Sequence, residues 1–162
     1  MSRARINAVL LAIALIAVVL AGVLYVRGGE SDAEEAASQY PAIAEAAEDL
    51  TTNFLTVDYK NMDALTAKVV DGITGEFKKQ YSDSLKELKD AATQQKSTAK
   101  GSVDAVGISE ADADSATAFV SAGSAVTNTG TKGKTEQRSW RIKLSMVKEG
   151  DRWLVGKLEF VG

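Results

Sequence analysis

The chain has 162 residues, of which 19 are basic and 22 acidic; its formal net charge is −3, and it contains neither cysteine nor histidine. The missing thiol excludes disulfides and thiol chemistry, and the missing imidazole removes the commonest metal ligand and general base at neutral pH. Residues 28–162 carry 16 basic and 22 acidic side chains, which argues against nucleic acid or anionic head groups as partners. We expect no cofactor and no metal.

An uncharged apolar segment spans residues 8–26, with the sequence AVLLAIALIAVVLAGVLYV. As a helix it is about 28 Å long, close to the roughly 30 Å hydrocarbon core of a bilayer. A cleaved signal peptide is the alternative, but its apolar region is usually about 7–15 residues long and ends at a small-residue cleavage site. This segment is longer and ends in the sequence LYVR. We therefore predict a retained transmembrane helix.

The basic residues that flank this segment predict its orientation. Arg3, Arg5 and the terminal amine precede it, Arg27 follows it, and residues 28–59 contain no Lys or Arg. Because an excess of Lys and Arg marks the cytoplasmic flank of a membrane helix, residues 1–7 are predicted to be a cytoplasmic tail.

The remaining chain is predicted to lie outside the cytoplasm, so we expect a single-pass protein of the cell membrane. Residues 27–40 are predicted to form an acidic stalk and residues 41–162 an extracytoplasmic domain. Small side chains on one side of the membrane helix would let a partner helix approach closely. This candidate partner face consists of Ala14, Ala17 and Ala21.

Two helices are predicted at the start of the domain from apolar residues at helical spacing. The first covers residues 41–57, with Pro41 in its first turn and an apolar face of Ile43, Ala46, Ala47, Leu50, Phe54 and Val57. The second covers residues 62–70, with Asn61 as a candidate N-cap and Met62, Leu65 and Val69 facing inward. Asp71 and Gly72 end it.

A third helix is predicted between Thr74, its candidate N-cap, and a change of period after Gln95. Glu76 lies in its first turn, where a negative charge is favourable. Its buried stripe is predicted to contain Phe77, Tyr81, Leu85, Leu88 and Ala92. The intervening lysines, Lys78, Lys79, Lys86 and Lys89, are interpreted as a solvated face.

After Gln95 the apolar period changes to two residues, which is typical of strands. Four strands are predicted, at residues 103–108, 116–126, 138–147 and 153–161. Alternation is clearest at Trp140, Ile142, Leu144 and Met146, and weaker at Ala118 and Val120. Residues 149–151 and 128–134 are predicted turns. The fold class is therefore α+β, with three helices on one face of a curved antiparallel sheet of about four strands.

Three stretches of the domain resemble one family: residues 55–59 (LTVDY), 71–77 (DGITGEF) and 152–162 (RWLVGKLEFVG). With a membrane helix and an acidic stalk before them, they resemble the Mce-associated membrane proteins of actinobacteria, small accessory proteins of the Mce lipid and sterol importers. The resemblance covers roughly residues 30–162. It implies a cone-shaped domain similar to nuclear transport factor 2, a place in the cell envelope and a supporting role in lipid uptake. Asp151 stands where such domains often have glycine before Arg-Trp.

Several residues are candidates for contacts with a partner or a pocket, namely Thr74, Gly75, Phe77, Tyr81, Trp140 and Trp153. Each also has a structural interpretation. Thr74 and Gly75 suit a helix start, Phe77 would anchor that helix to the sheet, and the two tryptophans suit the core. Asp58 is expected to accept a hydrogen bond from the nearby backbone.

Catalysis is not expected. Cone-shaped domains host isomerases and dehydratases that use an Asp, His or Tyr deep in a pocket. Asp63, Asp71 and Tyr81 are the candidates here, but each fits an ordinary role as a cap, turn or stripe residue.

Three functions remain open. The function we favour is that of a non-enzymatic subunit that stabilises an Mce-type importer through protein partners. One alternative is a lipid-carrying cone, and the other is a single-span assembly subunit of a secretion or conjugation system. The packing of four side chains discriminates between the assembly subunit and the lipid carrier: those of Phe77, Tyr81, Trp140 and Leu144. A cone filled by these side chains excludes a lipid, whereas a cavity above roughly 300 Å³ lined by them favours the carrier.

Overall fold

The computed structural model describes residues 37–162. The predicted membrane helix at residues 8–26, and with it Ala14, Ala17 and Ala21, lies outside the described residues. Within residues 37–162, no helix combines the length and apolar character needed to cross a membrane. The fold described below is that of the compact unit Gln39–Gly162.

From Tyr40 onward the described chain forms four helices. They are α1 (Tyr40–Leu55), α2 (Met62–Asp71), α3 (Gly75–Asp83) and α4 (Leu85–Gln95). The first two predicted helices are confirmed to within two residues. Asn61 and Thr74 occupy the N-cap positions expected for them, although neither side chain makes a capping hydrogen bond. The Thr74 hydroxyl instead donates to the carboxylate of Glu149.

The predicted third helix is divided in two at Ser84. The Ser84 hydroxyl donates to the carbonyl of Gln80 at 2.9 Å, and its backbone N–H is shared between the carbonyls of Gln80 and Tyr81. A serine that bonds back to the preceding turn competes with the regular helical ladder and bends the helix. The expectation of one continuous helix was therefore wrong.

Within the described residues, five strands form one antiparallel sheet in sequence order. They are β1 (Val57–Asp58), β2 (Thr98–Ala111), β3 (Ser115–Thr127), β4 (Glu136–Glu149) and β5 (Arg152–Phe160). The four predicted strands are confirmed, although three of them are longer than predicted. Strand β1 was not predicted. Val57 was expected to end the first helix but pairs with Ala99 instead. The β4–β5 turn is confirmed, with Gly150 at a φ of 61°.

The interior of the cone, between α1 and the sheet, is filled by side chains. Buried apolar residues alternate along β3 and β4 as predicted, at Ala118, Val120, Ile142, Leu144 and Met146. Ile43, Ala47 and Leu50 of α1 cover them. At Gly101 of β2, an added Cβ would lie 2.8 Å from the Leu55 Cβ. This close approach packs α1 directly against β2.

The apolar stripe on α3 and α4 is only partly covered. Ala92 is buried, Phe77, Tyr81 and Leu85 are half-buried, and Leu88 is 41% exposed. The expectation of a buried stripe was therefore wrong. The physical reason is that α1 already covers the inner face of β2 and β3, so α3 reaches mainly the outermost strand, β5.

Candidate functional site

The four helices surround an open cleft of about 470 Å³. We call it the helix cleft. Its walls come from all four helices: Phe54 of α1, Met62 and Leu65 of α2, Phe77 and Tyr81 of α3, and Leu88 of α4. Apolar side chains of α2, α3 and α4 line its open volume.

Three aromatic rings form one wall of the helix cleft. The ring centroid of Phe54 lies 6.4 Å from that of Phe77 and 6.1 Å from that of Tyr81, and Phe77 and Tyr81 meet edge to face at 6.4 Å. Such spacing is favourable for aromatic pairs. Burial raises the pKa of the Tyr81 phenol, so its hydroxyl stays protonated and can donate a hydrogen bond near neutral pH.

The described residues that line the helix cleft carry no formal charge. The polar ones are amides and hydroxyls, including Asn53, Gln80 and Ser84. Lys89 of α4 and Asp63 of α2 form an ion pair. In the sequence, Lys89 follows the lining residue Leu88, and Asp63 follows the lining residue Met62. The Asp63 carboxylate is 92% exposed, so the pair contributes little to stability. The cleft can therefore accommodate apolar groups and uncharged hydrogen-bonding groups of a ligand.

The structure brings only two of the six candidate contact residues into this cleft, Phe77 and Tyr81. Trp140 lies on the sheet, where its indole N–H donates to the Ser124 hydroxyl at 2.9 Å and its ring lies 5.2 Å from that of Phe160. Trp153 is 6% exposed and belongs to the core. Phe77 packs against the core cluster and also makes ring contacts with Phe54 of α1 and Tyr81 of α3.

Asp71 ends α2 and is bound by Arg152. The Arg152 Nη2 lies 2.7 Å from Oδ2 of Asp71, and Nη1 lies 3.3 Å from Oδ1. These hydrogen bonds and the adjacent positive charge lower the pKa of Asp71 below its ordinary value. Asp58 accepts a hydrogen bond from the backbone N–H of Lys60 at 3.0 Å, which confirms its expected local role.

The candidate acids do not converge. Asp63 pairs with Lys89 and Asp71 with Arg152, whereas Tyr81 lies in the aromatic wall of the cleft. Within residues 37–162, the structure contains no group of three or more side chains that could hold a metal ion.

Sequence reasoning identified Phe77 and Tyr81 but treated Phe54, Met62, Leu65 and Leu88 only as core-facing residues. The sequence did contain a signal for an open cleft, because the predicted helices have more apolar faces than one side of a four-stranded sheet can cover. The carrier alternative called for a cavity lined by Phe77, Tyr81, Trp140 and Leu144, and neither Trp140 nor Leu144 lines the helix cleft. The observed cleft exceeds the 300 Å³ threshold but lies between helices.

Solved structures share this fold. The periplasmic domain of DotI is 11% identical, with a TM-score of 0.61 over 75% of this chain and 94% of that chain. CagV of Helicobacter pylori strain 26695, described as a VirB8 homolog of T4SS, is 6% identical, with a TM-score of 0.59 over 75% and 97%. An IcmL-like type IV secretion system protein from Legionella pneumophila is 13% identical, with a TM-score of 0.57 over 73% and 88%. Identities this low show the fold alone.

Sequence comparison identifies a relative in Mycobacterium tuberculosis, the uncharacterized protein Rv1363c. It is 29% identical over 137 residues, which are 85% of this chain and 52% of the relative. The chain thus spans about half the length of the curated relative it matches. The family described as "Uncharacterized protein Rv1363c/MT1408-like" matches residues 4–162. Because that match covers nearly the whole sequence, the chain belongs to the Rv1363c/MT1408-like family.

Proposed function

We propose that this protein is a non-enzymatic assembly subunit of a multi-subunit transport machine in the cell membrane, with its folded domain outside the cytoplasm. The observation that carries the proposal is the fold. Residues of the described unit adopt the architecture of the periplasmic domain of DotI, with a TM-score of 0.61 over 94% of that domain. A periplasmic fragment of TraM has the same fold, with a TM-score of 0.54 over 92% of that chain.

The contacts of the candidate catalytic groups support a role without chemistry. Asp71 is held by Arg152 through two side-chain hydrogen bonds, and Asp63 is paired with Lys89. Tyr81 packs against Phe54 and Phe77. Each group thus has a structural partner, and the cleft that Tyr81 lines contains neither Asp63 nor Asp71, so the three groups do not form one acid–base site.

The machine we favour is an Mce-type lipid or sterol importer. Support comes from the resemblance carried by residues 55–59, 71–77 and 152–162, and the mycobacterial relative fits the actinobacterial origin that this resemblance implies. The second candidate is a secretion or conjugation system, in which the protein would be a single-span assembly subunit. The fold shared with CagV and with the IcmL-like protein favours this candidate.

A membrane anchor would strengthen weak contacts of the domain. If residues 8–26 span the membrane, the domain is confined near its partners and its effective concentration is high. The isolated domain is then expected to bind partners weakly, whereas the full-length protein sustains the complex.

Deletion of the gene tests this proposal. The abundance of the importer subunits and lipid uptake should fall together, and the full-length protein should restore both. The domain without residues 8–26, exported to the same compartment, should restore them less well. Unchanged importer subunits with a loss of secretion or conjugation would favour the second candidate.

Single substitutions test whether chemistry is involved. Asp63→Asn, Asp71→Asn and Tyr81→Phe should each leave lipid uptake intact in protein that still folds, because no reaction depends on these groups. Loss of uptake in one of these variants, with the protein and the importer at normal levels, would contradict the assembly role and point to a pocket-based function.

A further inference from the structure

We propose that the helix cleft is a binding site for one uncharged apolar molecule, a neutral lipid-type ligand whose only polar group is a hydroxyl or its equivalent. This inference rests on the geometry of the cleft and holds whether or not the protein has the assembly role proposed above.

The size of the cleft matches such a ligand. Its volume of about 470 Å³ lies within the range of roughly 300–1,000 Å³ that is usual for small-molecule sites. A water molecule occupies about 30 Å³ of liquid, so the cleft has the volume of roughly 15 waters. A partner helix is about 10–12 Å wide with its side chains, so only a few of its side chains could enter.

The charge of the lining selects an uncharged ligand. None of the lining residues within the described chain is acidic or basic, so an ionised head group inside the cleft would lose its hydration without gaining a partner. The amide of Gln80 and the hydroxyls of Ser84 and Tyr81 offer hydrogen bonds of the kind that a ligand hydroxyl can use.

The lining residues differ in stiffness. Phe54, Phe77 and Tyr81 form a wall of mutually packed rings, whereas Met62, Leu65 and Leu88 of α2 and α4 are aliphatic and adapt more readily. Rigid aromatic and adaptable aliphatic side chains in one cleft suit a chain or a flat ring system. Because Leu88 is 41% exposed, an apolar ligand would also remove this side chain from water.

Photo-crosslinking of the full chain in lipid nanodiscs tests the proposal. The probe is a long-chain alcohol that carries a diazirine in the chain, and the labelled residues are mapped by mass spectrometry. We expect labelling on α2, α3 and α4 at residues that line the cleft, and we expect excess unlabelled alcohol to abolish it. The same chain ending in a sulfonate should compete about tenfold less well, because its fixed charge would be desolvated.

A matched pair of variants separates the cleft from the rest of the surface. Leu88→Glu places a charge in the cleft at a position exposed enough to tolerate it, and should reduce cleft labelling about tenfold or more. Phe119→Glu makes the same kind of change on the sheet, where Phe119 is 44% exposed and does not line the cleft. It should leave cleft labelling unchanged. Circular dichroism of both variants checks that the fold is retained.

Three results would overturn the proposal. One is labelling confined to residues outside the cleft, and another is cleft labelling that excess alcohol does not reduce. The third is equal labelling of the two glutamate variants, both folded. If the alcohol fails to label the cleft while Leu88→Glu abolishes crosslinking to a protein subunit, the cleft is a protein-docking site instead.

Discussion

Arg152 of β5 binds Asp71 at the end of α2 through both the side chain and the backbone. Besides the two contacts with the carboxylate, the Arg152 Nη2 donates to the backbone carbonyl of Asp71 at 3.0 Å. Beside this contact, the N–H of Val155 donates to the carbonyl of Gly72, and the N–H of Thr74 donates to the carbonyl of Val155, each at 3.0 Å. The α2–α3 connection is thus attached to the edge of the sheet. Two of the three stretches that carry the family resemblance therefore touch each other.

The Asp71–Arg152 pair predicts a pH dependence of stability. Because Arg152 lowers the pKa of Asp71 in the folded state, the pair stabilises the fold above the ordinary Asp pKa of about 3.9. This contribution is lost as the pH falls through the lowered pKa. The thermal midpoint of wild-type residues 38–162 should exceed that of Asp71→Asn at pH 6, and the difference should vanish in strong acid. The difference should be small because both side chains are exposed.

A scan of the thermal midpoint from pH 7 to pH 2, with both proteins in the same buffers, provides the measurement. High salt serves as a control, since it should reduce the difference at pH 6. A difference that persists unchanged to pH 2 would show that the carboxylate charge is not its origin.

Trp153 should contribute strongly to stability. Its side chain is 6% exposed and belongs to the core cluster, so Trp153→Ala should lower the free energy of unfolding by about 3–5 kcal/mol. Urea unfolding of residues 38–162 measures this loss. Phe119→Ala is the matched aromatic control; because Phe119 is 44% exposed, its loss should stay below about 1 kcal/mol. Equal losses in the two variants would contradict the assignment of Trp153 to the core.

Gly101 should be intolerant of any side chain. An added Cβ would lie 2.8 Å from both the Leu55 Cβ and the Thr52 carbonyl oxygen, so Gly101→Ala must push α1 away from β2. Overpacking of this kind costs about 1–3 kcal/mol. Gly107→Ala on the same strand is the control, because nothing lies within 4 Å of its added Cβ. If both variants unfold at the same urea concentration, the close approach of α1 is not a constraint.

The flanking charges predict the topology of the full chain. A reporter that is active only outside the cytoplasm, fused after Gly162, should be active, because Arg3 and Arg5 keep the amino terminus inside. The same fusion with a reporter that is active only in the cytoplasm should be silent. Activity of the cytoplasmic reporter alone would reverse the predicted orientation.

The elements that sequence predicted well are those whose signal is local. Ile142, Leu144 and Met146 are buried as their alternation indicates, because successive side chains of a strand point to opposite faces. The limits of α1 and α2 are likewise close to those predicted, since Pro41 favours a helix start and Asp71-Gly72 favours a stop. The α+β class follows from these patterns.

Of the two features that sequence missed, one depends on a distant residue and the other lies within a single helical turn. β1 has only two residues, too few to show a period, and becomes a strand because Val57 pairs with Ala99, far along the chain. At the break, the Ser84 hydroxyl donates to the Gln80 carbonyl, and the Ser84 N–H is shared between the carbonyls of Gln80 and Tyr81. Neither feature alters the apolar pattern from which the helices and strands were predicted.

The helix cleft shows where sequence stops being sufficient. By itself the sequence determined that Phe77, Tyr81 and Leu88 recur at helical spacing and favour burial on one side. Only the tertiary structure decided that the stripe stays partly open. Burial depends on how far neighbouring elements reach, and α1 occupies the inner face of β2 and β3 before α3 and α4 can approach it. An apolar pattern specifies which side chains favour burial, whereas the packing of distant elements determines which of them find a partner.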